Sequence, residues 1–250
     1  MRLIASLLIA SFCAGCVSTG ETISFQAKGD QQSLMRDGQS ALVSKKPNSI
    51  VLVRPANRQF SSGGRPVFIV AIANTTKQPQ DFRVSNVSVM QNVNGENAAL
   101  KVITYEELVN EEKTRQVIAA LGTGLAAAGN AMSASQAGYY NANSTVYTPR
   151  GTYLVNTSGY SPTAAAIAQS NANAQNAAMI DATIARGQAN MATLAREVIK
   201  DNTLLPGEWY GGQLWVQPPI DQSGRPKNYS ISLHVGPDRH DIAVVQGAAQ

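Results

Sequence analysis

The feature that most limits what this chain can become is a block of 79 residues, 117 to 195, holding only three charged side chains, Arg150, Asp181 and Arg186, but 22 alanines. Its remaining positions are mostly Gly, Ser, Asn, Gln, Thr and Tyr. The sequence on either side is different material: residues 17 to 116 carry 12 basic and 9 acidic residues, and residues 196 to 250 carry 5 and 6. Alanine offers little apolar surface, and burial contributes only about 25 cal/mol per Å², so the block cannot supply a core of its own. The flanks are therefore read as one domain, 16–103 and 202–250, interrupted by an insert at 104–201.

Both flanks have the alternation and turn chemistry of strands. Residues 21–27, 32–43, 49–54, 66–74, 81–89 and 98–103 read as extended before the insert, and 208–216, 229–235 and 241–245 after it, about nine strands in all. Asp37-Gly38 and Asn94-Gly95 supply the positive-φ positions of tight hairpin turns. In 81–89 the alternation of Phe82, Val84, Val87 and Val89 slips by one, which suggests a bulge near Ser85-Asn86. Neither flank has a helical period. The expected fold is mostly β with an α insert: an antiparallel, immunoglobulin-like β-sandwich interrupted by a long Ala-rich α-helical hairpin.

The insert reads as two helices. Thr104-Tyr105-Glu106-Glu107 matches a capping box, and Glu106, Glu107, Glu111 and Glu112 place negative charge near the positive end of the helix dipole. Ile118, Leu121, Leu125, Ala128 and Met132 then recur at 3,4,3,4 spacing on one face, up to about Gly138. The second helix starts at Ser161-Pro162 and runs toward Asp201, with Ile180, Ile184, Gly187, Met191, Leu194 and Val198 as its seam. At 1.5 Å per residue the hairpin is roughly 50 to 60 Å long. Counting inward from its base sets Ile118 near Gly187 and Met132 near Asn173, so the two apolar seams do not match along their length. A second chain, or the sandwich itself, is expected to cover them; the alternative is a loosely packed, partly disordered insert with no partner. The run from Val117 to Ala137 is uncharged, but its Gly, Asn, Ser and Gln make it more polar than a membrane-spanning helix requires. Ala120, Gly124 and Ala128, four apart, suggest a close helix contact.

The link at 138–160 carries five of the eight tyrosines, Tyr139, Tyr140, Tyr147, Tyr153 and Tyr160, among Asn, Ser, Thr and Gly. Tyrosine gives a large contact area at small entropic cost, the composition of recognition loops, and these five are the candidate partner-binding residues. The alternative is a loop or local β-hairpin whose rings cover the helix ends.

At the amino terminus, Arg2 precedes an apolar run, Leu3 to Phe12, too short to span a bilayer, and small residues then lead into a cysteine. Ala14-Gly15-Cys16 resembles the lipobox of bacterial lipoproteins, with Cys13 standing where leucine is usual, and the rest of the chain resembles outer-membrane lipoproteins to which no pathway attaches. The resemblance implies that 1–15 is a signal peptide and that Cys16 becomes the acylated first residue, held by membrane lipid. With Val17 after the cysteine, it implies the periplasmic face of the outer membrane. Cys13 and Cys16 are the only cysteines, so the mature body is expected to have no disulfide, cysteine-ligated metal or cysteine nucleophile.

Little else carries chemistry. A net charge of +4 without a cluster of Lys and Arg argues against nucleic acid. No nucleophile elbow, phosphate loop, HExxH run or dinucleotide fingerprint is present, so neither a catalytic residue nor a cofactor is expected. His234 and His240 are the only histidines. A four-residue turn at 236–239 would pair Val235 with His240 and set the two rings on opposite faces, which argues against a metal and for surface or interface positions. Trp209 and Trp215 fall on one side of 208–216, either for ligand stacking or as part of a core strand entered through Pro206-Gly207, with Gly211-Gly212 marking a bulge or a close backbone crossing. The sequence thus points to a non-catalytic, outer-membrane-anchored envelope module, acting on a protein partner or on copies of itself through the hairpin. An accessory lipoprotein of a secretion or conjugation apparatus, and a glycan-binding or hydrolytic envelope protein, are the alternatives.

Overall fold

The structure is a computed structural model in which residues 20–36, 38–220 and 226–248 are described. The signal segment 1–15, Cys16 and Asp37 lie outside them. Along the chain run β1 (Glu21–Gln26), β2 (Gln31–Arg36), β3 (Gln39–Lys45), β4 (Ser49–Pro55), β5 (Val67–Asn74), β6 (Gln80–Phe82), β7 (Ser88–Val93), β8 (Glu96–Leu100) and β9 (Val102–Ile103). Then come α1 (Tyr105–Gln136), β10 (Tyr139–Thr148), β11 (Gly151–Tyr160) and α2 (Pro162–Glu197), followed by β12 (Asn202–Leu204), β13 (Trp209–Val216), β14 (Lys227–Val235) and β15 (Asp238–Ala248). The chain forms two compact units, one from residues up to Tyr105 and from Arg196 onward, the other Glu106–Ala195.

The first unit is an antiparallel β-sandwich. One sheet has the order β1-β15-β14-β6-β12, with β7 also pairing β14 and β8 continuing from β7; the other has the order β2-β3-β4-β5-β13-β9. The alternation that marks strands in the sequence is the alternation of burial: β4 hides Ser49, Val51, Val53 and Pro55, and β15 hides Asp238, His240, Ile242, Val244 and Gln246. Val51, Val53, Phe68, Val70, Ile72 and Leu214 of one sheet form one apolar cluster with Phe82, Val89, Ile231, Leu233, Ile242 and Val244 of the other. The turn residues do what their sequence context requires, with Gly38 at φ 72°, Asn94 at 53° and Gly95 at 93°.

Several details differ from the sequence expectation. The sandwich has thirteen strands among its described residues, because the 32–43 hairpin is two, 81–89 and 98–103 each divide, and Asn202–Leu204 adds one. At 81–89 the break is no bulge but a single 3₁₀ turn, Val84–Asn86. At Lys101 the chain leaves β8 in one sheet and enters β9 in the other. The β14–β15 turn is also tighter than four residues. Gly236, at φ 53°, lets Val235 pair with Asp238, so His240 faces Leu233 across the ladder. The two histidines still point to opposite faces, but His240 is fully buried and not a surface residue. Finally, α2 stops at Glu197. Val198, expected on its seam, is instead buried in the sandwich and bridges Gln213.

Gly212 explains how the chain re-enters the sandwich. A Cβ there would stand 2.8 Å from both Glu197 O and Ile199 N, so only glycine lets the returning segment cross β13 this closely. The pairing of β13 with β5 runs unbroken from Trp209 to Trp215, which leaves the close crossing and removes the bulge.

Candidate functional site

The second unit is a pair of helices tipped by a two-stranded sheet, and the packing of α1 reverses what apolar periodicity implies. Ser161 caps α2 as expected, its Oγ accepting the Ala164 N–H at 3.3 Å. The longitudinal register also follows the counting argument: Gln116 Nε2 donates to Gly187 O at 3.1 Å, and Thr123 Oγ1 meets Thr183 Oγ1 at 3.1 Å. The rotation of α1 about its axis does not follow it, whereas α2 keeps Gly187, Met191 and Leu194 of its expected seam buried or half-buried and turns Ile180 and Ile184 outward. The residues between the helices are Glu112, Gln116, Thr123, Asn130 and Ala134 on α1, and Ala172, Asn176, Thr183, Gly187 and Asn190 on α2. On α2, buried or half-buried residues recur at 165, 168, 172, 176, 179, 183, 187, 190 and 194. Their 3,4,4 spacing repeats every 11 residues, where the sequence suggests a heptad.

This seam is wired by polar side chains. Asn130 Nδ2 donates to Asn176 Oδ1 at 2.9 Å, and Asn176 Nδ2 to Ala127 O at 3.2 Å. Thr183 donates its one proton to Met179 O, so Thr123 donates to Thr183. At the base, Glu112 is buried between the helices and accepts from Arg115, Gln116 and Asn190. The apolar seam expected on α1 faces outward: Ile118 is 65% exposed, Leu121 66%, Leu125 77% and Met132 66%. Ile180 and Ile184 on α2 are exposed as well. Gly124, in the small-residue run expected to make a close contact, has nothing within 4 Å of where a Cβ would stand. By length and composition α1 can cross a membrane, and only 6% of its most apolar 18-residue window is buried. The expectation that this run is too polar to span is therefore reopened.

The tyrosine link is a regular hairpin, paired from Tyr139–Tyr160 to Thr148–Gly151, with all five tyrosines exposed. Strand alternation divides them: Tyr139, Tyr147 and Tyr160 lie on one face, Tyr140 and Tyr153 on the other. They do not form one patch. At the helix end of the hairpin the rings of Tyr139 and Tyr160 sit 5.0 Å apart, Tyr160 lies over Gly138, and Tyr140 lies over Gly159 across the ladder. Those glycines make room for the rings.

Two polar clusters in the sandwich were not legible in the sequence. The inward face of β15 is apolar in the middle and polar at both ends, and each end gathers partners. At one end, Ser49 Oγ donates to Asp238 Oδ2 at 2.7 Å and lies 2.9 Å from His240 Nε2, while His240 Nδ1 lies 2.9 Å from Ser44 Oγ. Since Ser49 gives its proton to the carboxylate, His240 carries its own on Nε2 and accepts from Ser44. Burial holds His240 below the usual histidine range, the Asp238 charge opposing this only in part. Burial raises Asp238, but bonds from Ser49 and Asn48 outweigh it and hold the carboxyl low. The carboxylate orients a serine and no imidazole, and Ser44, Ser49 and His240 are sealed from solvent, so the cluster lacks both the order and the access of a nucleophilic triad.

At the other end, Lys227 Nζ lies 2.6 and 2.7 Å from the Glu21 carboxylate oxygens, and Glu21 also accepts from Ser62 and Gln246. Burial pushes the Glu21 carboxyl up, and these donors, Lys227 foremost, bring it below its ordinary value. Tyr229 donates to Gln246 and is itself raised by burial. Trp209 is exposed and Trp215 half-buried on the outer side of β13, where Trp215 Nε1 donates to Gln213, while Leu214 and Val216 enter the core. Among the described residues no group of three or more His, Cys, Asp or Glu is placed to hold a metal ion. No family model, curated protein or solved structure matches the chain.

Proposed function

We propose that this chain is a non-catalytic envelope lipoprotein, anchored through an acylated Cys16 at the periplasmic face of the outer membrane, whose sandwich is a scaffold and whose helical hairpin is the working arm. The observation that carries the reading is where the unsatisfied surface lies. The polar side chains of the sandwich interior bond to one another, whereas the arm exposes Val117, Ile118, Leu121, Leu125, Met132 and five tyrosines with almost no charge among them. Contiguous exposed apolar surface of this kind marks an interaction site. A flank of the arm also carries a groove of about 700 Å³ between Val117 and Ala120 of α1 and Ile184 and Met191 of α2.

Two measurements test the two halves. Mass analysis of the mature amino-terminal peptide is expected to find acyl chains on Cys16 as the first residue, and an unmodified or differently processed terminus would refute the anchor. Crosslinking in native membranes is expected to capture a partner or a second copy that is lost when 138–160 is replaced by Gly and Ser. An identical crosslink pattern would remove the tip from the binding surface.

A further inference from the structure

Along α1 the arm is polar toward its partner helix and apolar outside, the reverse of a helix built for water. In water, apolar side chains drive two helices together and Asn, Gln and Thr face the solvent. Here Thr123–Thr183, Asn130–Asn176 and Gln116–Gly187 join the helices by side-chain hydrogen bonds, and Ile118, Leu121, Leu125 and Met132 point away. Small residues and polar bonds between helices, with apolar residues outward, are the packing of helices in lipid.

The dimensions agree with that. After Arg115, α1 runs without a charge from Val117 to Gln136, 20 residues or about 30 Å, the thickness of a bilayer's hydrocarbon core. On α2 the uncharged stretch is Pro162 to Ile180, 19 residues or about 28 Å, ending at Asp181. Both stretches are bounded at one end by charges and at the other by Tyr139, Tyr140 and Tyr160, the residue type that collects where hydrocarbon meets water. A helix lying flat on a membrane would instead carry Lys and Arg along its polar side, and neither stretch has one. The two helices are not equivalent: α1 alone is apolar enough to face lipid, while the exposed side of α2 carries Ser170, Asn171, Asn173 and Gln175.

We propose that the helical pair crosses a lipid bilayer, with the Ile118–Leu121–Leu125–Met132 side of α1 against the acyl chains and the Ser170–Asn173 side of α2 toward water. The polar side then requires several copies around an aqueous passage, each pair acting as one stave with α1 outermost. The inference rests on the envelope-anchored reading only in which bilayer is meant.

After Cys16 the chain contains no cysteine, and Leu125 and Ser170 are both exposed, so single cysteines at either site leave the packing intact. The full-length, lipid-modified protein carrying Leu125→Cys, Met132→Cys or Ser170→Cys, labelled with an environment-sensitive fluorophore, is reconstituted into phosphatidylethanolamine–phosphatidylglycerol vesicles with and without brominated acyl chains. The expected result is at least twofold quenching at 125 and 132, none at 170, and reaction of Ser170→Cys with a membrane-impermeant maleimide. Vesicle-bound protein quenched at no site overturns the crossing and leaves the anchor standing, including when the stripe is instead covered by a second copy in water. Equal quenching at 125 and 170 overturns the stave arrangement. An unacylated terminus in the mass analysis, with the expected quenching intact, removes the anchor alone.

Discussion

Replacing Lys227 with methionine asks whether the Glu21 cluster is a dry plug at one end of the sandwich core. The pair is almost sealed, with the Lys227 side chain 2% and that of Glu21 8% exposed. Methionine keeps most of the volume and removes the ammonium, leaving a carboxylate with the Ser62 hydroxyl at 2.9 Å and the Gln246 amide at 2.6 Å. Stranding one partner of a buried ion pair costs about 3 to 5 kcal/mol. The two surviving bonds place this variant at the low end, about 3 kcal/mol, or a fall in Tm of about 6 to 12 °C for a unit of this size. Both tryptophans lie on β13, so tryptophan emission during urea or thermal unfolding reports the sandwich and not the arm.

The pH dependence sharpens the test. In the wild type Glu21 sits below its ordinary 4.5, so its contribution to stability is complete above that pH and is lost as pH falls through the lowered value. Without Lys227, burial dominates and pushes the carboxyl up, so the variant takes up a proton on Glu21 earlier and escapes its penalty. The gap between variant and wild type is therefore widest near pH 7 and narrows toward pH 4. A gap that stays constant over that range, or a loss below about 1 kcal/mol at pH 7, would mean that water reaches Glu21 and that the pair contributes no more than a surface bridge.

Two further outcomes follow from the same interior. His240 is held neutral by burial, with Asp238, Asp30 and Asp241 opposing and Lys46 assisting, so its share of stability is complete above about 6.5 and declines as pH drops below it. The urea midpoint is expected to fall between pH 7 and pH 5 in the wild type and less so in His240→Gln; equal falls would place the acid sensitivity elsewhere. Gly212→Val drives a side chain into Glu197 O and Ile199 N and is expected to cost about 1 to 3 kcal/mol in the same unfolding assay. By contrast Gly122→Ala on α1, where nothing stands within 4 Å, is expected to stabilise the arm by about 0.5 to 1 kcal/mol by circular dichroism. Similar signs for the two would refute the close-crossing account of β13.

The strands were legible because each is a local pattern: SIVLVR, PVFIVAIAN and YSISLHV alternate or run apolar, and Gly38 and Asn94-Gly95 turn the chain where positive φ is needed. The Ser161 cap and the longitudinal register of the helices were legible for the same reason, since they depend on neighbouring residues and on counting. The polar clusters were not. Ser49 and His240 lie 191 positions apart, and nothing in their neighbours says that one strand's inward serine will meet another's inward imidazole. Among the candidate tyrosines, alternation within a hairpin separates Tyr140 and Tyr153 from the other three. That separation depends on a ladder joined by Pro149-Arg150, not by an Asn-Gly signal.

The α1 seam failed for a more informative reason. Choosing Ile118, Leu121, Leu125 and Met132 as the buried side assumes that the solvent is water, since only then does the apolar stripe mark the interior. Thr123, Asn130, Asn176 and Thr183 lie at equally regular intervals, and in hydrocarbon they are the groups that must find partners. The two stripes compete as seams, and which one closes depends on the medium. In water alone, the observed arrangement leaves five large apolar side chains on α1 more than half exposed while hydrogen bonds worth about 0.5 to 1.5 kcal/mol each hold the pair. Burying that stripe against acyl chains removes the penalty without moving either helix, which is what the proposed crossing requires of the arm.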